Sequence, residues 1–161
     1  MQEALNAHVT AELFSANLYL AMSAWCHGKS FKGFGHWLRV QHGEELAHAQ
    51  KMLDYLVERG GEVNVGPVAA PGKAFGSPLQ VFEKVLEHER QVSKGIEELH
   101  ATAVAERDTA AQIFLQWFVA EQVEEEAHVQ EIVDKAIIVI LCFFLYKAGR
   151  AAESGTATPP S

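Results

Sequence analysis

The chain has 161 residues, of which 48% are hydrophobic, and a formal net charge of −8 at pH 7. This length predicts one domain with a sizeable core, and the composition is typical of a globular protein. The negative charge argues against nucleic acid as the main partner, because phosphate binding needs a basic surface. It is compatible with a protein that attracts cations.

The cysteines and the N-terminal residues indicate the cellular compartment in which the protein is expected. Cys26 and Cys142 are not part of a C-x-x-C motif, which argues against a rubredoxin or zinc-ribbon module and fits a reducing environment. Residues 1–11 contain neither a basic region nor a long apolar stretch, so no secretory signal is expected. We therefore expect a cytoplasmic protein.

The hydrophobic pattern predicts four long helices and no strand. Pro78 at the first position of the third helix, between Ser77 and Gln80, is typical of a capping box. Gly28 is expected to cap the first helix, and the glycines at 60–61 to end the second. Apolar residues recur three or four positions apart over 2–27, 31–59, 78–105 and from Thr109 to about 135.

The connector between the second and third predicted helices, residues 60–77, is long and rich in glycine and proline. A connection of this length is unusual in a compact domain, and in a helical bundle it indicates a crossover along the bundle. The fold expected for residues 1–135 is therefore an all-α four-helix bundle.

The C-terminal part has a different composition. Residues 136–146 form the apolar run AIIVILCFFLY, which is too short to span a bilayer, so no membrane partner is expected. The segment 136–150 is either a fifth helix buried between subunits or an altered assembly contact. Because such a run would aggregate if exposed, we expect another chain to cover it. The polar tail 151–161 is expected to be disordered.

One or two polar residues interrupt the apolar stripe of each predicted helix, in a pattern that repeats. Glu12 is followed by Glu45 and His48 after 33 and 36 residues, and Glu89 is followed by Gln122 and Glu125 at the same intervals. The two halves of the chain therefore superpose with an offset of 77 residues. Two unrelated, solvated carboxylate clusters are the alternative explanation.

Buried carboxylates are costly unless they are paired, and two divalent cations would pair them. One Glu from each of two helices, with an i, i+3 pair from each of the others, is a known arrangement of di-iron proteins. Mixed oxygen and nitrogen donors favour iron, and Glu45 and Glu125 are the candidates for shared ligands. The motif Glu-x-x-His occurs once, at Glu45 and His48, and Gln122 and Glu125 stand in place of a second copy. One metal position is therefore expected to bind more weakly and to pass its metal on.

Residues 1–135 resemble a non-haem bacterial or archaeal ferritin subunit. The resemblance is carried by four blocks: AELFS at 11–15 with Tyr19, EELAH at 44–48, ERGG at 58–61, and FLQWFVAEQVEEE at 114–126. It implies a ferroxidase centre that oxidises Fe(II) with O2 or H2O2 inside a homo-oligomeric shell, with a 24-subunit cage as the expected assembly.

The same resemblance implies roles for individual residues. One iron would lie at Glu12, Glu45 and His48, and a second at Glu45, Glu89 and Glu125 with Gln122 close by. A possible third iron position matches Glu44, Glu121 and Glu124, and Tyr19 matches a tyrosine associated with electron transfer, or else a core tyrosine bonded to a ligand. Haem-binding bacterioferritins have a methionine where this chain has Leu46, so no haem is expected.

Iron storage with ferroxidase activity is therefore the leading hypothesis. A rubrerythrin-like di-iron peroxidase is the alternative, although it would need an external electron donor. A subunit that only nucleates mineral is disfavoured by the full ligand set. Mini-ferritins that coat DNA build their site between subunits, whereas both half-sites lie in this one chain, so DNA binding is not expected.

Overall fold

The computed structural model describes residues 1–154, without the side chains of residues 144, 145 and 147–154. It contains the four predicted helices and, in this described part, no strand. No helix within residues 1–154 is long and apolar enough to cross a membrane. The helices are α1 (Gln2–Gly28), α2 (Lys32–Glu58), α3 (Pro78–Ala105) and α4 (Thr109–Ser154).

Local signals fix the ends of α2 and α3. Gly60 has a φ of 68°, and the amides of Gly60 and Gly61 donate hydrogen bonds to the carbonyls of Val57 (2.9 Å) and Leu56 (2.8 Å). This is a Schellman motif, in which glycine adopts the left-handed conformation without strain. At the start of α3, Ser77 forms the predicted capping box with Gln80.

The end of α1 differs from the prediction. Gly28 is the last residue of the helix, and the C-cap is Lys29, whose φ of −100° is ordinary. The left-handed conformation falls on Ser30 instead, with a φ of 67°. A glycine near a helix end allows a positive φ but does not require one, and Gly28 does not adopt it here.

The crossover, residues 60–77, is fastened to α1 by side chains. Asn6 donates to the carbonyl of Glu62 (2.9 Å) and accepts from the amide of Asn64 (2.7 Å). Thr10 accepts from the amide of Gly66 at 3.1 Å. Near its end the crossover buries Phe75 in the core. These contacts satisfy backbone groups that a loop against a helix would otherwise leave unpaired.

The core consists of two apolar clusters with a polar layer between them. One cluster includes Leu5, Met52, Ile96 and Leu115, and the other includes Met22, Leu38, Phe82 and Val129. On every helix, the polar residues of the predicted site lie between the positions that enter the two clusters. The layer comprises Glu12, Gln41, Glu45, His48, Glu89, Gln122 and Glu125, all of them buried.

Helix α4 continues past residue 135 to Ser154, so the apolar segment 136–150 lies within α4. Ile138, Val139 and Leu141 are exposed there. Residues 151–154 of the predicted tail also belong to α4, whereas residues 155–161 lie outside the described residues. The role of the segment in assembly stays a prediction.

Candidate metal centre

Three side chains from the first half of the chain converge in the polar layer. Glu12 comes from α1, and Glu45 and His48 come from one face of α2, three residues apart. Each offers a donor atom, and the three donors lie within 4.8 Å of one another. Nδ1 of His48 is 3.5 Å from Oε2 of Glu45 and 4.0 Å from Oε2 of Glu12. This spacing allows one metal ion to contact all three residues.

Two carboxylate oxygens of this group have no hydrogen-bond partner. Oε2 of Glu12 and Oε2 of Glu45 are both buried and unpaired. Unpaired buried polar atoms are rare in folded proteins and call for an explanation such as an ion. A cation between these oxygens and Nδ1 of His48 would supply the missing partner, so the residues present fit a metal.

Side chains from the second half of the chain lie in the same layer, where hydrogen bonds hold their carboxylates. Glu89 accepts from the hydroxyl of Tyr19 and, through Oε2, from Nε2 of Gln122 at 3.1 Å. Oε2 of Glu125 accepts from Nε2 of Gln41 at 2.8 Å. Within residues 1–154, the group of Glu12, Glu45 and His48 is the only set with three closely spaced donors. The layer is therefore asymmetric between the two halves.

Burial and mutual repulsion shift the pKa values of the carboxyl groups in the layer. Burial, then the adjacent Glu12 carboxyl, hold the pKa of Glu45 well above its usual range. Burial and the charge of Glu89 raise the pKa of Glu125 to about 8. Burial also raises the pKa of Glu89, although Tyr19 and Gln122 oppose the change. Without cations, the protein therefore favours protonated acids at these positions.

Glu12 behaves differently from the other acids. Burial alone would raise its pKa, but contacts with His8 and Glu45 and the charge of His48 lower the pKa below the ordinary value. The pair of Glu12 and Glu45 thus has one acid that ionises readily and one that keeps its proton. A bound cation favours ionisation of both, because it replaces a proton with a positive charge.

Tyr19 lies against the layer and is fully buried. Besides donating to Glu89, it makes an edge-on contact with the ring of His88, at 5.9 Å between centroids. Burial and the carboxylate of Glu89 raise the pKa of Tyr19 well above its usual range. The phenol therefore keeps its proton and serves as a hydrogen-bond donor.

The residues predicted for a third iron position are less enclosed. Glu44 and Glu124 are exposed and Glu121 is half-buried. Glu44 and Glu121 lie close enough to contribute to the raised pKa of Glu125. They thus extend the negative charge of the layer toward the surface, without forming a group of three closely spaced donors among the described residues.

Two residues at the site have no role in the sequence prediction. Gln41 shares a helix face with Glu45, but its bond to Glu125 joins residues 84 positions apart. His8 lies one turn before Glu12, with its Nε2 3.0 Å from Oε1 of Glu12. The i, i+4 spacing is the only signal in the sequence that could have identified His8.

Trp117 lies beside the site. Its ring makes an edge-on contact with the ring of His48, at 5.5 Å between centroids, and Nζ of Lys51 lies 4.2 Å from the indole centroid. Phe118 contacts both rings. These aromatic contacts restrict the orientation of the His48 imidazole.

Known proteins share this arrangement of helices. The family model of the ferritin-like domain matches residues 2–137. The bacterial non-heme ferritin of Bacteroides fragilis is 49% identical over 135 residues, covering 84% of this chain and 85% of the relative. The bacterial non-heme ferritin of Campylobacter jejuni is 42% identical over 135 residues, covering 84% and 81%.

Solved structures agree with the sequence comparisons. The open-pore ferritin of Archaeoglobus fulgidus has a TM-score of 0.85 at 50% identity, covering 86% of each chain. A closed form engineered from the same ferritin has a TM-score of 0.85 at 47% identity, covering 92% of this chain and 93% of the other. From the family match and from relatives that are nearly half identical over most of its length, the chain belongs to the ferritin family.

Proposed function

We propose that this protein stores iron, and that the polar layer is a ferroxidase site that oxidises Fe(II) to Fe(III) before deposition as a ferric mineral. The observation that carries the proposal is the buried group of Glu12, Glu45 and His48, with two unpaired carboxylate oxygens. Family membership supports the same function.

Iron is the substrate and cargo, and the residues fit two ions. The first would be held by Glu12, Glu45 and His48. The second would be held by Glu45, Glu89 and Glu125, with Gln122 beside it. The support for a shared Glu45 is electrostatic, since Glu89 and Glu125 both act on its pKa. Two dications would offset the charge of the four buried carboxylates, which is otherwise costly.

The reaction balances with either expected oxidant. Two Fe(II) ions lose one electron each, and O2 takes both electrons with two protons to give H2O2, or H2O2 takes them with two protons to give water. The protein contributes ligands of fixed geometry and negative charge, while the iron supplies the redox chemistry. Tyr19 would hold Glu89 in position through its hydrogen bond.

The proposal extends to the assembly. We infer a cytoplasmic homo-oligomer that encloses the mineral, with 24 subunits as the expected size. The charged residues Glu44, Glu121 and Glu124 would form a third iron position on the path that product takes out of the site. The exposure of Glu44 and Glu124 and the effect of Glu44 and Glu121 on the pKa of Glu125 support this path.

The test measures Fe(II) oxidation by stopped-flow absorbance in Glu45→Ala and His48→Ala. Both variants should be slower by about two orders of magnitude or more, with unchanged helical circular dichroism. Matched controls are Glu97→Ala and His128→Ala, because both side chains are exposed. Oxidation at the wild-type rate in both site variants would contradict the assignment.

A second measurement separates storage from the peroxidase alternative. The size of the assembly and its iron content are measured by light scattering and sedimentation, before and after addition of Fe(II). Storage predicts a large particle that retains iron after gel filtration. A small particle that retains no iron, yet consumes peroxide with an external donor, would contradict storage.

A further inference from the structure

His8 is a buried imidazole whose Nε2 has no hydrogen-bond partner. The residue is 7% exposed, and its Nε2 lies 3.0 Å from Oε1 of Glu12 without forming a hydrogen bond of acceptable geometry. His48 is closest to the other oxygen of the same carboxylate, Oε2. Glu12 therefore has one oxygen facing the three-donor group and the other facing His8.

The distance between these two atoms suits a metal. Two donors at right angles, each roughly 2.1 Å from an octahedral cation, are about 3.0 Å apart. Nε2 of His8 and Oε1 of Glu12 have this separation. His8 does not belong to the group of three closely spaced donors, so such a cation would occupy a different place, beside the other oxygen of Glu12.

A cleft leads from the surface to His8. It has a volume of about 340 Å3 and lies between α1 and α3, where Ala7, Ala11 and Gly95 line it together with His8 and the exposed carboxylate of Glu98. The small residues keep the cleft open. A β-carbon at Gly95 would lie 2.9 Å from Cε1 of His8, so glycine at this position makes room for the imidazole.

We propose that His8 is a capture ligand: a divalent cation entering the cleft binds Nε2 of His8 and Oε1 of Glu12, and then moves across Glu12 to the group of Glu12, Glu45 and His48. This inference rests on the proposed function, because it needs a metal at that group. A position with only two protein donors holds its cation weakly, which suits transfer inward to three donors. Glu98 also lines the cleft, where its carboxylate lies 3.8 Å from Nζ of Lys94.

The test follows Co(II) binding to the full-length, metal-free protein by stopped-flow visible absorbance, which does not depend on iron oxidation. His8→Ala removes the donor and also widens the cleft. Capture by the imidazole predicts arrival slower by about tenfold or more, with a final Co(II) content at the three-donor group close to that of wild type. Equal or faster arrival would overturn the proposal.

Two more variants separate a ligand from a packing residue. His8→Asp retains a donor atom and should recover part of the lost rate. Gly95→Ala keeps the histidine but displaces its ring, and should slow arrival as His8→Ala does. Gly43→Ala is the matched control, since a β-carbon there meets nothing within 4 Å. Wild-type rates in Gly95→Ala and no recovery in His8→Asp would each contradict capture.

Crystals soaked in Co(II) give a direct view. Anomalous scattering should show one peak among Glu12, Glu45 and His48, and a weaker peak between His8 and Glu12 that is absent from His8→Ala. If the first peak is present and the second is missing in wild type at high Co(II), the capture position is refuted while the proposed function stands. If neither peak appears, the proposed function itself fails.

Discussion

Gln41 and Glu125 connect the two halves of the chain inside the polar layer, where Nε2 of Gln41 donates a 2.8 Å hydrogen bond to Oε2 of Glu125. Gln41 lies on α2 and Glu125 on α4, and both are buried. The bond lowers the pKa of Glu125, which burial and Glu89 otherwise raise. It also fixes the direction of a carboxylate that we propose as an iron ligand.

The variant Gln41→Met tests this relationship, because methionine fills similar volume without a donor. The pKa of Glu125 should rise further, so a cation has to displace a proton that is held more firmly. We expect the affinity for Co(II) at pH 7 to fall by about tenfold, measured by calorimetric titration. Gln50→Met is the control, since Gln50 bonds only the exposed Asp54 in the next turn. Equal losses in both variants would contradict the role of Gln41.

The raised pKa values predict how the stability of the metal-free chain depends on pH. Glu45, Glu89 and Glu125 bind protons more tightly in the folded than in the unfolded state. The contribution of Glu125 is complete below the ordinary value of 4.5 and is lost as the pH rises through about 8. The contributions of Glu45 and Glu89 are lost in the same direction. The lowered pKa of Glu12 acts in the opposite direction.

Glu45→Gln tests that sign, because glutamine resembles the protonated acid. The metal-free variant should be more stable than wild type at pH 8 and similar to it at pH 4, by denaturant midpoints. Added Co(II) should raise the midpoint of wild type but not of the variant, because a ligand of the cation has been lost. Glu97→Gln on the surface of α3 is the control. A variant less stable than wild type at pH 8 would show that Glu45 is ionised there.

Tyr19→Phe removes one hydroxyl and keeps the ring. Glu89 would lose the bond from Tyr19 and keep only that from Gln122, so its pKa should rise. We expect the free energy of unfolding to fall by about 1–3 kcal/mol and Fe(II) oxidation to slow. Tyr55→Phe is the matched control, because the Tyr55 hydroxyl bonds Arg59 at an exposed position. Similar losses in the two variants would contradict a specific role for Tyr19.

Phe82 lies in the apolar cluster that also includes Met22, Leu38 and Val129. It is fully buried and contacts the rings of Phe34 and Trp37, at 4.9 and 5.4 Å between centroids. Phe82→Ala should lower the free energy of unfolding by about 3–5 kcal/mol, measured by denaturant titration. Phe31→Ala, at a position 41% exposed, should cost less than about 1 kcal/mol. Equal costs would mean that the cluster is not a packed core.

The helices and the three-donor group could be predicted because their signals are local. The capping box at Ser77 acts within one turn, and Glu45 and His48 face the same way because they are three residues apart on a helix. The 77-residue repeat then associates Glu12 with them. None of these steps needs knowledge of how the helices pack.

Other features depend on packing and were not predicted. The bond from Gln41 to Glu125 spans the bundle, and the position of the His8 ring depends on the absence of a side chain at Gly95 on another helix. Helix α4 continues past residue 135, because a change from polar to apolar residues does not end a helix. In the sequence, the first glycine or proline after Thr109 is Gly149.

The division of the polar layer between two helical hairpins has a mechanical consequence. Helices α1 and α2 supply Glu12, Glu45 and His48, and helices α3 and α4 supply Glu89 and Glu125, while the backbones pair mainly within each hairpin. If, as we propose, Glu45 and Glu125 share a cation, that cation would cross-link the N-terminal and C-terminal halves. The resistance of these halves to separation would then grow with the concentration of free cation, because only the joined form offers the complete proposed set of ligands.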